Sequence, residues 1–82
     1  MEKGPETEPI RRARRGGVTY LLFCTNGRRF DFSVRRGEDV ATLRHVTTKS
    51  AEANELFDLL VRHTVHPCHL ADVVEDYLID GK

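Results

Sequence analysis

Asn26-Gly27 stands between two runs of strand-forming residues, and no other feature of this sequence limits the fold as tightly. Upstream lies the β-rich run 18–24 (VTYLLFC); downstream, Phe30, Phe32 and Val34 alternate with polar residues at period two. Asn-Gly readily takes the left-handed backbone that joins antiparallel strands, so the two runs are predicted to form a β-hairpin.

Loop length then decides which side chains meet. A two-residue Asn26-Gly27 turn pairs Phe23 with Phe30 and Leu21 with Phe32. A three-residue loop, Thr25-Asn26-Gly27, instead gathers Val18, Tyr20, Leu22, Phe30, Phe32 and Val34 on one face. The second arrangement buries more apolar surface, at about 25 cal/mol per Å², and is the one expected. Leu21 and Phe23 then point away from the core.

After turn residues 36–39, the segment Val40 to Val46 reads as a third strand, although alternation does not identify its inward face. Thr47 or Thr48 offers a helix cap, and Ala53, Leu56, Phe57 and Leu60 recur at helical spacing, predicting a helix from about Lys49 to His63. Residues 64–67 break it. Pro67 suits the first turn of a second helix, whose stripe of Leu70, Val73, Val74, Tyr77 and Leu78 ends at Gly81. The expected fold is therefore α+β: a three-stranded antiparallel meander with two C-terminal helices packed on one face. It forms a single domain over residues 18–80.

Apart from two prolines and three glycines, residues 1–17 are mostly charged, which reads as a disordered arm. The charge divides unevenly along the chain. Residues 1–49 carry 11 Lys/Arg against 6 Asp/Glu, or +5, whereas residues 50–82 carry 2 against 7, or −5. Such asymmetry supports docking of a partner, and it can equally be satisfied within or between copies of the chain.

Eighty-two residues suffice for one small core. Two cysteines, Cys24 and Cys68, are too few for a secreted disulfide framework, and residues 1–9 lack the apolar run of a signal peptide. The apolar run 20–24 falls far short of the roughly 20 residues of a membrane helix. A cytoplasmic protein is expected.

The run from Pro67 through His69-Leu70 to Asp72-Val73, Glu75-Asp76 and Tyr77-Leu78 resembles the C-terminal signature of a family of short uncharacterised Firmicute proteins, a domain of unknown function. The hairpin and first helix are similar in order and length, so the likeness spans roughly residues 18–80. It implies a bacterial cytosol and supplies no activity.

Several clusters invite chemistry. His63, His66, Cys68 and His69 carry zinc-ligand types, but a helix starting at Pro67 sends Cys68 and His69 in different directions, and a closed site needs four convergent ligands. The structural alternative is a helix junction in which His66 caps the second helix, His69 supports that cap and Cys68 packs as a small apolar group. A Cys68-His69 dyad fails because adjacent helical residues do not face each other. The sequence contains no phosphate loop, nucleophile elbow or zinc-protease motif. No enzymatic activity, cofactor or metal is expected.

Asp72, Asp76 and Asp80 repeat at four-residue intervals as an acidic stripe, which either receives a basic partner or is a solvated helix face. Arg11, Arg12, Arg14 and Arg15 form the densest basic run. They could contact nucleic-acid phosphates, although no nucleic-acid motif accompanies them; otherwise they form a solubilising tail or lie on the acidic helix. The expected function is a small protein-binding or regulatory module, self-associating as a weak homodimer through Leu21 and Phe23 with the acidic stripe as a second contact. A heterodimer would use the same patch. The alternative is a nucleic-acid accessory protein working through the arginines.

Overall fold

The computed structural model describes residues 8–25 and 28–80, apart from the side chain of Asp80. The elements are β1 (Pro9–Arg15), β2 (Val18–Thr25), β3 (Arg29–Arg36), β4 (Asp39–Thr47), α1 (Ser50–Arg62), a short 3-10 turn (Pro67–His69) and α2 (Leu70–Asp80). The strands form one antiparallel sheet in the order β1-β2-β3-β4. The α+β class and the two helices are as expected; the strand count is corrected from three to four among the described residues.

The additional strand comes from residues assigned to an arm on composition. Arg15 pairs with Val18, so Gly16-Gly17 is a two-residue hairpin turn. Both glycines have positive φ, +58° and +79°, the requirement of a type I′ turn. Gly16 is also constrained by packing, because a Cβ there would approach the Thr64 methyl to 3.2 Å. Residues 1–7 of the expected arm lie outside the described residues.

The β2–β3 faces are those of the three-residue-loop reading, but the loop falls one residue later, over positions 26–28. Thr25 pairs with Arg29, Cys24 with Phe30, Leu22 with Phe32 and Tyr20 with Val34. Asn26 and Gly27 themselves lie outside the described residues. From the sheet, Val18, Tyr20, Leu22, Phe30, Phe32 and Val34 are buried against Ala53, Leu56, Phe57, Leu60, Val65, Leu70, Val74 and Tyr77. β4 contributes Ala41, Leu43 and Val46 to the margin of this core.

The α1 cap differs from expectation. Lys49 occupies the N-cap without a side-chain bond. Thr47 acts from two residues upstream: its hydroxyl accepts the Lys49 N–H at 3.1 Å and donates to Glu52 at 2.8 Å. At the other end, Thr64 takes φ 49°. Val65 N–H donates to Leu60 O and Thr64 N–H to Val61 O, completing a Schellman closure that buries Val65.

The expected histidine-capped junction is also corrected. His66 makes no side-chain cap bond; the turn closes when the His69 N–H donates to the His66 carbonyl at 2.9 Å. Pro67 at the first position lacks an N–H that would need a partner, so a side-chain cap is less needed there. Cys68 is exposed rather than packed. The expected helix stop at Gly81 lies outside the described residues.

Two tyrosines mark the helix layer. The Tyr20 hydroxyl is buried with no hydrogen-bond partner among the described residues, and burial raises its pKa against the opposing charge of Arg15. The Tyr77 hydroxyl donates to Glu55 at 2.5 Å, tying α2 to α1. That bond, then burial and the nearby Glu55 and Glu52 charges, push its pKa up to about 12. A phenol raised above its unfolded value of 10.0 contributes stability that is complete below pH 10 and disappears as pH rises toward 12. Thermal melts from pH 9 to pH 12 should therefore show a steeper fall for wild type than for Tyr77→Phe. Parallel curves would remove Tyr77 from the alkaline transition.

Candidate functional site

The two helices cover one side of the sheet and leave the other open. Strand parity assigns residues to that open side. Arg12 pairs with Leu21 and Arg14 with Thr19 across β1–β2; Phe23 pairs with Asp31 and Leu21 with Ser33 across β2–β3. On β3–β4, Ser33 lies opposite Thr42 and Arg35 opposite Val40. Alternation also brings Arg29 and Arg44 to this side. Leu21 and Phe23 thus lie on the uncovered face as predicted, both half-buried by their neighbours.

Five arginines share the face: Arg12, Arg14, Arg29, Arg35 and Arg44. Asp31 is the strand carboxylate among them, and its oxygens have internal partners. One accepts the His45 N–H at 2.7 Å and the other the Thr25 hydroxyl at 3.1 Å. This bond shapes the groove, because β3 residue Asp31 faces three β4 residues, Arg44 to Val46, between the pairs Phe32↔Leu43 and Phe30↔Thr47. His45 enters the left-handed region at φ 56°, and the carboxylate takes up the amide that leaves the ladder. The resulting groove, about 460 Å³, is lined by Phe23, Thr25, Arg29, Asp31, Ser33, Thr42, Arg44 and His45.

The arginines of β1 divide by parity. Arg12 and Arg14 face the open side. Arg11 reaches over the helix layer, where its guanidinium bonds Asp58 at 2.9 Å and Asn54 at 3.2 Å, and lies 4.6 Å from the Phe57 ring centroid. Arg15 lies on that same parity opposite Val18. The four candidate nucleic-acid contacts therefore do not share one surface.

On the opposite side of the molecule α2 exposes Asp72 and Asp76, with Glu75 between them. The side chain of Asp80, third in the expected stripe, lies outside the described residues. His63, His66, Cys68 and His69 are not gathered. Among the described residues no group of three or more His, Cys, Asp or Glu side chains is placed to hold a metal ion.

Sequence reasoning picked out Leu21 and Phe23, and Arg29 and Arg35 only as basic charge near the hairpin turns; it did not place Arg29, Asp31, Arg35, Arg44 or His45 on one face with Phe23. The first three were accessible, since the register that faces Phe23 outward carries positions 29, 31 and 35 with it. The bulge at His45 has no local sequence signal, because its acceptor is a side chain 14 residues away.

These features define a small α+β protein with a two-layer core, whose open sheet face is basic and whose helices are acidic. The chain belongs to a family of unknown function (DUF6514), whose profile matches residues 29–80. That match spans β3, β4 and both helices. No curated protein and no solved structure matches the chain.

Proposed function

We propose that the chain is a binding module without catalytic chemistry of its own, which holds an acidic partner protein on the open sheet face. One observation carries the reading: five arginines surround half-buried Phe23 and Leu21 on a face that no element among the described residues covers. Arginine and aromatic residues dominate the energetics of protein interfaces, and an apolar centre within a polar rim is their usual anatomy. A symmetric dimer through this face would set five arginines against five. An acidic partner avoids that repulsion, so the homodimer expected from the sequence gives way here to a heterologous contact through the same patch.

Phosphate chemistry is the second reading, supported by the two-residue spacing of Arg12 and Arg14 along β1 on the face that holds Phe23. A salt series separates the two. Affinity for a glutamate-rich peptide and for single-stranded RNA should be measured across ionic strength for wild type and Phe23→Lys. The peptide is expected to bind more tightly and to lose about tenfold or more on substitution of a central anchor. Tighter RNA binding, falling with a log–log slope of about −0.7 for each phosphate contacted, would transfer the function to nucleic acid.

The free thiols Cys24 and Cys68 support a reducing compartment, which we take to be the cytosol of a Firmicute bacterium. Among the described residues no helix is long and apolar enough to cross a membrane. The Pro67 to Leu78 run is proposed as the signature of the family, within whose matched span it falls.

A further inference from the structure

We propose that the acidic partner of the open face is helix α2 of a second copy, so that the chain stacks head to tail. The proposal rests on the reading of the open face as an acceptor for acidic protein and names its occupant. Asp72, Glu75, Asp76 and Ile79 are all exposed, Ile79 at 71%. At 3.6 residues per turn these four positions fall within about 100° of arc, a single stripe about 10 Å long. It carries three carboxylates and ends in an apolar tip. The acceptor has the complementary composition, an apolar centre of Leu21 and Phe23 within a field of arginines. Its four strands span about 14 Å, room enough for one helix.

Existing contacts single out α2 from α1. Glu52 accepts the Thr47 hydroxyl, Glu55 the Tyr77 hydroxyl, and Asp58 binds Arg11. Asp72, Glu75 and Asp76 have no such tie among the described residues. Donor stripe and acceptor face lie on opposite sides of the molecule, because α2 packs behind the sheet. Joining them leaves a free donor at one end and a free acceptor at the other, which is a heterologous contact and does not close on itself. Pairing either surface with its own copy would oppose like charges.

Sedimentation of the full chain at about 10 mM and about 300 mM salt tests this, since the Debye length contracts roughly fivefold between them. At low salt the average mass should climb past about twice the monomer without a plateau as concentration rises, then return to monomer at high salt. Arg12→Gln with Arg35→Gln should be monomeric alone, as should Asp72→Asn with Asp76→Asn, neutral changes that create no reversed contact when the two are mixed. Mixed with each other in an untreated acceptor–donor sense, the first variant still offers α2 but no acceptor and the second still offers the sheet but no donor stripe, so the mixture should stop at a one-to-one pair. A plateau at dimer for wild type, or no pairing in the mixture of folded variants, would overturn the stack. A wild type that stays monomeric at low salt yet binds a glutamate-rich peptide would overturn the stack while sparing the open-face reading. Loss of both would overturn both. The wild-type series needs no substitution, so it decides the matter even where a variant fails to fold.

Discussion

Deleting residues 1–15 should lower the melting temperature by about 12–24 °C, corresponding to about 3 kcal/mol in a domain of this size. The deletion removes the β1–β2 ladder, whose pairs run from Pro9↔Phe23 to Arg15↔Val18. Each lost backbone bond contributes about 0.5–1.5 kcal/mol, partly offset by the ordering entropy of the strand. It also removes Arg11, which clasps Asp58 and covers Phe57, and Ala13, which packs at the margin of the core. Calorimetry of the full and truncated chains measures the difference. Truncated protein melting within a few degrees of the full chain would mean that β1 adds little and that three strands carry the fold.

Phe32→Ala should have the larger effect on the core itself. Phe32 is fully buried at the centre of β3, between Leu22 on one side and Leu43 on the other. Truncating a buried phenylalanine costs about 3–5 kcal/mol. A domain of 82 residues has a total stability of only about 4–12 kcal/mol, so the variant is expected to be substantially unfolded near 37 °C. Urea titration gives the test: Phe32→Ala should shift the midpoint sharply down, whereas Ile10→Ala, at an exposed position, should leave it almost unchanged. Equal midpoints for Phe32→Ala and wild type would contradict the inward face assigned to β3.

Those inward faces were legible because β3 alternates cleanly, and against it one register of β2 buries six large side chains while the other divides them. The α1 and α2 stripes were legible for the same reason. Ala53, Leu56, Phe57 and Leu60 recur at helical spacing and are all buried; of the α2 stripe, Leu70, Val74 and Tyr77 are buried and Val73 and Leu78 pack beside them.

β1 was obscured by composition. Its sequence PIRRARR has one sizeable apolar residue, Ile10, and that side chain is exposed; the inward positions are taken by Arg11, Ala13 and Arg15. The signal that could have revealed it was the Gly16-Gly17 pair before a strong strand, a hairpin dipeptide in its own right. β4 kept its inward face hidden because alternation holds through Ala41 and Leu43 and then breaks at the two-residue excess around His45. That break depends on the Asp31 carboxylate, which no period within β4 could reveal. The open face was half legible: Leu21 and Phe23 followed from register, while the gathering of arginines from β1, β3 and β4 required the sheet to be assembled.

The separation of charge between sheet and helices also has a consequence at a distance. The chain carries 13 basic and 13 acidic residues, so its formal net charge is zero. A neutral body with one basic and one acidic side feels little pull in a uniform field, but it does feel a torque. Within roughly a Debye length, about 8 Å at physiological ionic strength, that torque turns the molecule before contact. An anionic surface therefore meets the sheet first, and a cationic one meets the helices.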